Sequence, residues 1–175
     1  MNDEIRKYVI TGGPGVGKTT TLNELEKLGY STLPEVARQI IAEQMPNGVL
    51  PWTNLAEFQN LVVNRQLDLE RRVKGIAFLD RGVIDGVGYC LAGGIKVPQK
   101  LYTACKTADY AGVFLLDKLP AYCKDTERKE SVDEAQRIHN AIAEAYVMHG
   151  YTLIRVPVLL PKERAEFIFQ QTRFI

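Results

Sequence analysis

Near the amino terminus, one stretch combines the residue types that bind a polyphosphate. Gly12 is followed by four residues and then by Gly17, Lys18 and Thr19, which is the spacing of a phosphate-binding loop. Glycines at this density allow successive backbone N–H groups to turn inward around an anion. We expect the lysine to bridge the outer phosphates and the threonine hydroxyl to bind Mg²⁺. The residues that we expect to contact the phosphates are Gly12, Gly13, Pro14, Gly15, Val16, Gly17, Lys18, Thr19 and Thr20.

The segments on either side of this loop favour the same interpretation. An apolar segment over residues 5–11 predicts a strand that runs into the loop, and residues 19–28 predict a helix that follows it. The positive end of the helix dipole and its unpaired amides would face the bound anion. An ordinary glycine turn between a strand and a helix is the alternative, and the complete motif in this setting disfavours it.

Apolar segments alternate with helical patterns along the whole chain. The predicted strands cover residues 5–11, 30–33, 76–80, 109–116 and 151–156, and the longest predicted helix covers residues 53–74. This alternation predicts a three-layer α/β fold, in which a five-stranded parallel sheet carries helices on both faces. The chain has 175 residues and contains no linker or repeat, so we expect residues 1–175 to form one domain.

In a parallel α/β sheet the ligand lies beyond the carboxyl ends of the strands, and this rule selects further residues. Asp80 ends the third predicted strand, so we expect it to bind the metal beside Thr19. The alternative is a solvated acid, or an ion pair with Arg81. We expect Arg81 and Asp85 to contact the substrate. Because these two residues are four apart, a local ion pair between them is equally open.

Two charged residues follow the second predicted strand. Glu35 and Arg38 are three residues apart on a helix that Pro34 begins, so they are neighbours on one helix face at the mouth of the sheet. We expect Glu35 to orient or deprotonate an acceptor hydroxyl and Arg38 to hold an anionic group. The alternative is a surface ion pair with little energetic weight. Both Glu35 and Asp80 are candidates for the catalytic base, and the sequence leaves the choice open.

A segment rich in lysine and arginine covers residues 117–131, between the fourth predicted strand and the next helix. Transfer of a phosphoryl group requires cations around the transferred group, and a closing lid can deliver them. We therefore predict a lid here, with Arg128 as its catalytic and nucleotide-binding residue. The alternative is a solvated basic loop without a function in catalysis.

The composition excludes several classes of partner. The chain has 22 basic and 21 acidic side chains, so it has no overall charge that would recruit nucleic acid or a membrane surface. Its apolar fraction of 46% is that of a globular protein, and no apolar run is long enough to span a membrane. The three cysteines lack the spacing of metal ligands, which favours reduced thiols in the cytoplasm. The expected partners are a nucleoside triphosphate and a small-molecule acceptor.

The motifs, taken together, resemble a family of small ATPases in the P-loop kinase group, with an AAA-type domain. Within that group the chain is similar to the ribosylnicotinamide kinase domain of bifunctional NAD-biosynthesis proteins. The resemblance covers nearly the whole chain. It rests on Thr11-Gly-Gly-Pro-Gly-Val-Gly-Lys-Thr-Thr20, Leu33-Pro-Glu-Val-Ala-Arg38, Phe78-Leu-Asp-Arg-Gly-Val-Ile-Asp85, Arg128-Lys-Glu-Ser131 and Gly150-Tyr-Thr-Leu-Ile-Arg-Val-Pro157.

This resemblance implies a sheet of order 2-3-1-4-5 and an ATP site over residues 12–20. It also implies a lid around Arg128, a base-binding loop over residues 157–162 that begins at Pro157, and an acceptor pocket that includes Glu35. The chain departs from the nicotinamide riboside kinases at one point. The corresponding motifs of those kinases look like Glu-Tyr-Ala-Arg-Glu and Asp-Thr, whereas this chain has Glu-Val-Ala-Arg-Gln and Asp-Arg. The Asp-Arg pair looks more like that of nucleoside and nucleotide kinases.

The sequence thus supports two hypotheses for function. The first is an ATP- and Mg²⁺-dependent kinase of a small, nucleoside-like acceptor. The second is a nucleotide-switched protein that reports bound ATP or GTP to a partner. The sequence after the fourth predicted strand is Leu115-Leu-Asp-Lys-Leu119 rather than the Asn-Lys-x-Asp that selects guanine in GTPases, which argues against a GTPase of that kind.

Overall fold

Parallel strands form one sheet at the centre of the fold. The computed structural model describes residues 4–48, 50–120 and 131–175. The strands are β1 Arg6–Thr11, β2 Ser31–Leu33, β3 Ile76–Asp80, β4 Gly112–Leu116 and β5 Leu153–Val156. Every pair is parallel and the order is β2-β3-β1-β4-β5, which confirms the predicted sheet.

Helices connect the strands and cover both faces of the sheet. They are α1 Lys18–Lys27, α2 Val36–Gln44, α3 Leu55–Glu70, α4 Asp85–Ala92, α5 Gln99–Lys106, α6 Val132–Met148 and α7 Pro161–Gln171. Short 3-10 helices at Met45–Asn47 and Pro51–Asn54 lie between α2 and α3. In the described part of the chain, no helix has the length and apolar character needed to cross a membrane.

The helix predicted over residues 53–74 is shorter than expected. A 3-10 helix occupies its first residues, and the side chain of Asn54 caps α3 by accepting from the Glu57 amide at 3.1 Å. At its other end the amides of Arg72 and Val73 bond three residues back, which closes a tight turn after Glu70. Val73 is nevertheless buried, so its apolar character reflects the core and not the helix.

Residues of the central strand alternate between two apolar layers. Val9 packs with residues of α3, α4, α5 and α6 on one face. Tyr8 and Ile10 pack with residues of α1 and α7 on the other face. Because β1 is covered on both faces, it reads as a continuous apolar run in the sequence. This central position fixes the loop that follows β1 within the fold.

The register of the sheet brings the strand ends to one edge. Ile10 pairs with Asp80, and Leu116 pairs with Val156. The residues that follow β1, β3, β4 and β5 therefore lie together at the carboxyl edge of the sheet. Glu35, at the start of α2, joins them there through its contact with Arg81.

Candidate active site

The phosphate-binding loop runs from the end of β1 to the first turn of α1. Gly12, Gly15 and Gly17 have φ angles of 135°, 77° and 88°, which residues with side chains rarely adopt. Gly17 precedes Lys18, the first residue of α1, so the unpaired amides of that helix open toward the loop. The backbone thus has the conformation that the motif predicts for an anion site.

Lys18 lies buried inside its own loop. Its Nζ donates to the carbonyl oxygens of Gly12 at 3.2 Å and of Gly13 at 2.9 Å, and the residue is 6% exposed. Burial, together with the positive charge of Arg81, lowers the pKa of Lys18 to about 8. The ammonium is therefore held at the loop and has no carboxylate in direct contact within the described residues, so a bound anion would raise its pKa.

Thr19 and Asp80 meet where the sequence places the metal. The Thr19 hydroxyl donates to Oδ2 of Asp80 at 3.0 Å, while the buried Oδ1 of Asp80 has no hydrogen-bond partner among the described residues. Burial raises the pKa of the Asp80 carboxyl group, with the nearby charge of Lys18 acting in the opposite direction. An unpaired buried carboxylate oxygen beside a threonine hydroxyl fits Mg²⁺, which takes oxygen ligands.

This metal site would be sparse in protein ligands. Within residues 4–48, 50–120 and 131–175, no group of three or more histidine, cysteine or carboxylate side chains could hold a metal. Mg²⁺ is usually held by one or two carboxylates together with water and substrate phosphates. These residues therefore suit a metal ion that binds together with a polyphosphate better than a metal ion that is coordinated by protein side chains alone.

Glu35 lies at the start of α2, where two arginines hold its carboxylate. Arg81 Nε donates to Oε1 at 3.1 Å, and Arg38 Nε lies 3.6 Å from Oε2. Burial alone would raise the pKa of Glu35, but the charges of Arg81, Lys18 and Arg38 together lower it. The predicted pair of Glu35 and Arg38 is thus part of a three-membered ionic cluster, and its carboxylate stays ionised.

Arg81 connects the loop, β3 and α4. Its Nη1 donates to the Gly12 carbonyl at 3.0 Å and to Oδ1 of Asp85 at 2.9 Å, and its guanidinium lies 5.3 Å from the centroid of the Tyr89 ring. Its φ of 75° is the only positive value at a non-glycine residue in the described part of the chain. Such backbone conformations are costly and concentrate at functional sites. The local ion pair considered from the sequence is present, and it coexists with contacts to the loop and to Glu35.

Asp85 is buried and receives four hydrogen bonds. Its donors are Thr11 Oγ1 at 2.6 Å, Arg81 Nη1 at 2.9 Å, the Gly82 amide at 3.0 Å and the Tyr146 hydroxyl at 2.7 Å. These contacts occupy both carboxylate oxygens. They give Asp85 a position-holding role for Arg81, while the predicted contact with substrate stays a prediction.

The predicted roles of Arg128 and Pro157 in nucleotide binding are not tested by the structure. Arg128 lies outside the described residues, as does most of the lid predicted over residues 117–131. Pro157 follows β5 at the same edge of the sheet as the loop, and its carbonyl accepts from Arg164 Nε at 3.1 Å. Its predicted contact with the nucleotide base stays a prediction.

His139, for which the sequence predicted no role, contacts the phosphate-binding loop. Its Nδ1 accepts from the Gly13 amide at 3.1 Å, and burial lowers the pKa of His139, which favours the neutral ring. A Cβ at position 13 would lie 2.8 Å from the Ala135 carbonyl oxygen and 2.9 Å from the His139 Cβ, so only glycine fits between loop and helix. The sequence signal that could have identified His139 is its spacing, because it lies four residues after Ala135 and therefore on the buried face of α6.

Arg164, which is buried on α7, is a second site residue for which the sequence predicted no role. Its guanidinium donates to the carbonyl oxygens of Val16 at 2.5 Å, Asp117 at 3.1 Å and Pro157 at 3.1 Å. One side chain thereby joins the phosphate-binding loop to the ends of β4 and β5. Arg164 lies four residues before the buried Ile168, a spacing that indicates the apolar face of the helix. Arginine is usually exposed to solvent, so the residue type indicated the opposite.

A cavity of about 850 Å³ extends from the phosphate-binding loop between α2, α3 and α4. At the loop it is lined by Lys18, Thr19, Glu35 and Arg81. Farther along, apolar residues of the helices line it, among them Phe58. The site thus has a phosphate end and an apolar end within one continuous space.

A parallel sheet of this order, with a Gly-x-x-x-x-Gly-Lys-Thr loop between β1 and α1, defines a P-loop NTPase domain of the kinase-like type. A model of the family described as AAA domain (AAA_28) matches residues 7–164. The chain therefore belongs to this AAA domain family, as the resemblance implied.

Solved structures confirm the fold. The crystal structure of NadR protein in complex with NR has a TM-score of 0.76 and 14% identity, and the match covers 97% of this chain and 52% of that chain. The crystal structure of NadR protein in complex with NAD and AMP-PNP has a TM-score of 0.70 and 14% identity, covering 97% of this chain and 50% of that one. This chain thus spans about half the length of those two chains. No curated protein matches it.

Proposed function

We propose that this protein is an ATP- and Mg²⁺-dependent kinase that transfers the γ-phosphoryl group to a hydroxyl of a small acceptor. The observation that carries the proposal is the continuous cavity, which joins the phosphate-binding loop to Glu35 and then to an apolar wall. A protein that only binds or hydrolyses a nucleotide needs no second compartment beside the γ-phosphate. The phosphates would lie on the loop and the acceptor in the apolar part.

The chain supplies the groups that a nucleotide tail requires. The loop amides and Lys18 would hold the phosphates, and Thr19 with Asp80 would hold Mg²⁺. When bound, the metal supplies charge neutralisation for the phosphate oxygens. The charge of Arg81 contributes to the lowered pKa of Lys18, so two cationic groups lie near one another where the phosphates would bind. Arg128 remains our proposed lid cation.

We assign the acceptor hydroxyl to Glu35 and the metal to Asp80. Glu35 lines the cavity and stays ionised, whereas Asp80 directs one oxygen to Thr19 beneath the loop. In the step, the acceptor oxygen forms a bond to the γ-phosphorus while the bond from that phosphorus to the β,γ-bridging oxygen breaks. The hydroxyl proton passes to Glu35, and ADP and a phosphate monoester leave. Because phosphoryl transfer is loose, orientation by Glu35 matters more than its basicity.

The similar structures support this proposal without deciding it. NadR, about half of which this chain matches, has been solved in complex with NR and in complex with NAD and AMP-PNP. We also propose a cytoplasmic location. It is supported by Cys90 and Cys105, which are unpaired and buried, and burial raises the pKa of their thiols to about 11 and about 12.

A matched pair of lysine variants on one helix tests the proposed function. Purified protein is assayed with Mg²⁺, labelled ATP and a panel of hydroxylated metabolites, with and without EDTA. We expect metal-dependent transfer of label to at least one acceptor, with Lys18→Ala reducing kcat/KM by about 100-fold or more. Lys27→Ala removes an exposed lysine that pairs with Glu24, and it should act like wild type.

Two results would contradict the proposal. Equal turnover by wild type and Lys18→Ala would remove the site assignment. Nucleotide binding with slow hydrolysis that no acceptor stimulates would instead favour a nucleotide switch over a kinase.

A further inference from the structure

One polar side chain in the cavity wall has no hydrogen-bond partner among the described residues. Gln59 lies on α3, is 4% exposed and lines the cavity. Its amide makes no hydrogen bond with any residue in the described part of the chain. Among the described residues, the fully enclosed side-chain atoms without a hydrogen-bond partner belong to Asn60 and Asp80, so the amide of Gln59 instead contacts the open space of the cavity. Polar groups of buried side chains are usually hydrogen-bonded. An unpaired amide at the surface of a cavity therefore points to a ligand that pairs with it.

The neighbouring helix makes room for this amide. A Cβ at Gly86, on α4, would lie 2.8 Å from Oε1 of Gln59 and about as close to the methyl groups of Leu101, at 3.0 and 3.2 Å. Only a glycine at position 86 allows the amide to rest against the backbone of α4. Gln59 is thus confined between two helices before any ligand enters, and a confined group binds with less loss of side-chain entropy.

The position of Gln59 along α3 sets the length of the ligand. Gln59, Val62, Val63 and Gln66 lie on one face of the helix and all line the cavity. Gln66 donates to the Arg81 carbonyl at 3.2 Å, which marks the phosphate end. The two glutamines are seven positions apart on the helix, which is a rise of about 10 Å. A ring joined to a sugar has a similar length.

The charges along the cavity indicate which part of the ligand lies at Gln59. Its charged lining residues belong to the loop, to the cluster around Arg81 and to the start of α6, which packs on the loop. Between these groups and Gln59, the described wall is apolar or aromatic, with Phe58, Val62 and Tyr89. Such a wall suits an uncharged ring, because a charged group there would lose its hydration without compensation.

We propose that Gln59 is the specificity-determining residue of the acceptor site and that the acceptor is a nucleoside with an uncharged base. The sugar hydroxyl faces Glu35, and the amide of Gln59 pairs with an edge of the base that presents an adjacent donor and acceptor. A glutamine amide offers one donor group and one acceptor group, so it matches such an edge with two hydrogen bonds. This inference rests on the proposed kinase function and names its acceptor class.

Substitutions at position 59 and a matched acceptor panel test the proposal. The variants are Gln59→Leu, which removes the amide, Gln59→Glu, which keeps its shape, and Gln99→Leu, an exposed control on α5. The probes are uridine, cytidine, adenosine, guanosine, nicotinamide riboside, whose ring carries a fixed positive charge, and methyl riboside, which lacks a base. The acceptor Kd is measured by calorimetry, and kcat/KM is measured with Mg-ATP.

We expect wild type to bind at least one of the four neutral nucleosides and to discriminate against methyl riboside. Gln59→Leu should reduce kcat/KM for that nucleoside by roughly 10- to 100-fold with the affinity for Mg-ATP unchanged. Gln59→Glu should change which nucleoside is preferred, because it replaces the donor by an acceptor. Gln99→Leu should match wild type. Should Gln59→Leu fail to fold, Gly86→Ala displaces the same amide and is expected to act in the same direction.

Three outcomes would overturn the inference: equal use of methyl riboside and nucleosides, no effect of position 59 on any probe, or a preference for nicotinamide riboside that survives in Gln59→Leu. Transfer to an acceptor without a base would remove this inference and leave the kinase standing. Binding of a nucleoside that depends on Gln59, without phosphoryl transfer, would contradict the proposed kinase function and support the nucleoside site.

Discussion

Arg81 donates through Nε to Oε1 of Glu35 at 3.1 Å, and this bond ties the end of β3 to the start of α2. The same guanidinium donates to the Gly12 carbonyl at 3.0 Å. The side chain of Arg81 therefore contacts both the proposed base and the phosphate-binding loop. Oδ1 of Asp85 accepts at 2.9 Å from Nη1, the nitrogen that also donates to Gly12.

Arg81→Lys tests this dependence. One ammonium cannot reproduce the forked contacts to Glu35, Gly12 and Asp85, so we expect kcat to fall by about 100-fold. We also expect the free energy of unfolding to fall by about 2–4 kcal/mol, because buried acceptors lose their donor. Steady-state kinetics and urea unfolding measure the two effects. Arg71→Lys, at an exposed pair with Asp68, is the control. Wild-type kcat in Arg81→Lys would contradict the role.

The pKa of Lys18, about 8 in the free protein, predicts how nucleotide affinity depends on pH. Bound phosphates favour the charged lysine, so they raise its pKa, and binding above that pH takes up a proton. Affinity should be constant just below about pH 8 and then decrease by up to tenfold per pH unit above it. Calorimetry with AMP-PNP from about pH 7.5 to about pH 10 measures this dependence. In Lys18→Arg, which stays charged, the decrease should vanish. A wild-type affinity for AMP-PNP that does not change with pH would contradict the assignment of Lys18 to the bound phosphates.

The sequence predicted the sheet and the conformation of the glycine-rich loop because their signals are local, while phosphate binding by that loop stays a prediction. The loop motif occupies consecutive residues, and the strand-end rule placed Asp80 beside Thr19, where the structure has their hydrogen bond. Gln59 and Arg164 carry no such local signal. Each lies on the buried face of a helix, and the contacts of Arg164 join it to Val16, far away in the chain. Their roles follow from packing between helices, which spacing alone does not determine.

His139 on α6 and His149, the residue that follows the last residue of that helix, provide a matched pair for testing support of the loop. His139 accepts from the Gly13 amide, whereas the ring of His149 lies 2.7 Å from a carbonyl of α6, that of Ala145. His139→Leu leaves the Gly13 amide unpaired and buried, so we expect a loss of about 1–3 kcal/mol in unfolding free energy and weaker nucleotide binding. His149→Leu should change both quantities little. Thermal unfolding and AMP-PNP titration measure the effects, and equal behaviour of the two variants would contradict the role of His139.

Arg164 should couple nucleotide affinity to the packing of α7. Its guanidinium holds the Val16 carbonyl, so it orients the peptide whose amide belongs to the next loop residue, Gly17. Lysine at position 164 keeps the charge but cannot reach three carbonyls, and we expect unfolding free energy to fall by about 2–4 kcal/mol. The Kd for AMP-PNP should rise while the KM for the acceptor stays near wild type, because the acceptor wall lies on the other side of the loop. Arg173→Lys, an exposed change near the end of the same helix, controls for charge-preserving substitution. If Arg164→Lys lowered stability but left the nucleotide Kd unchanged, Arg164 would support the fold without setting the loop.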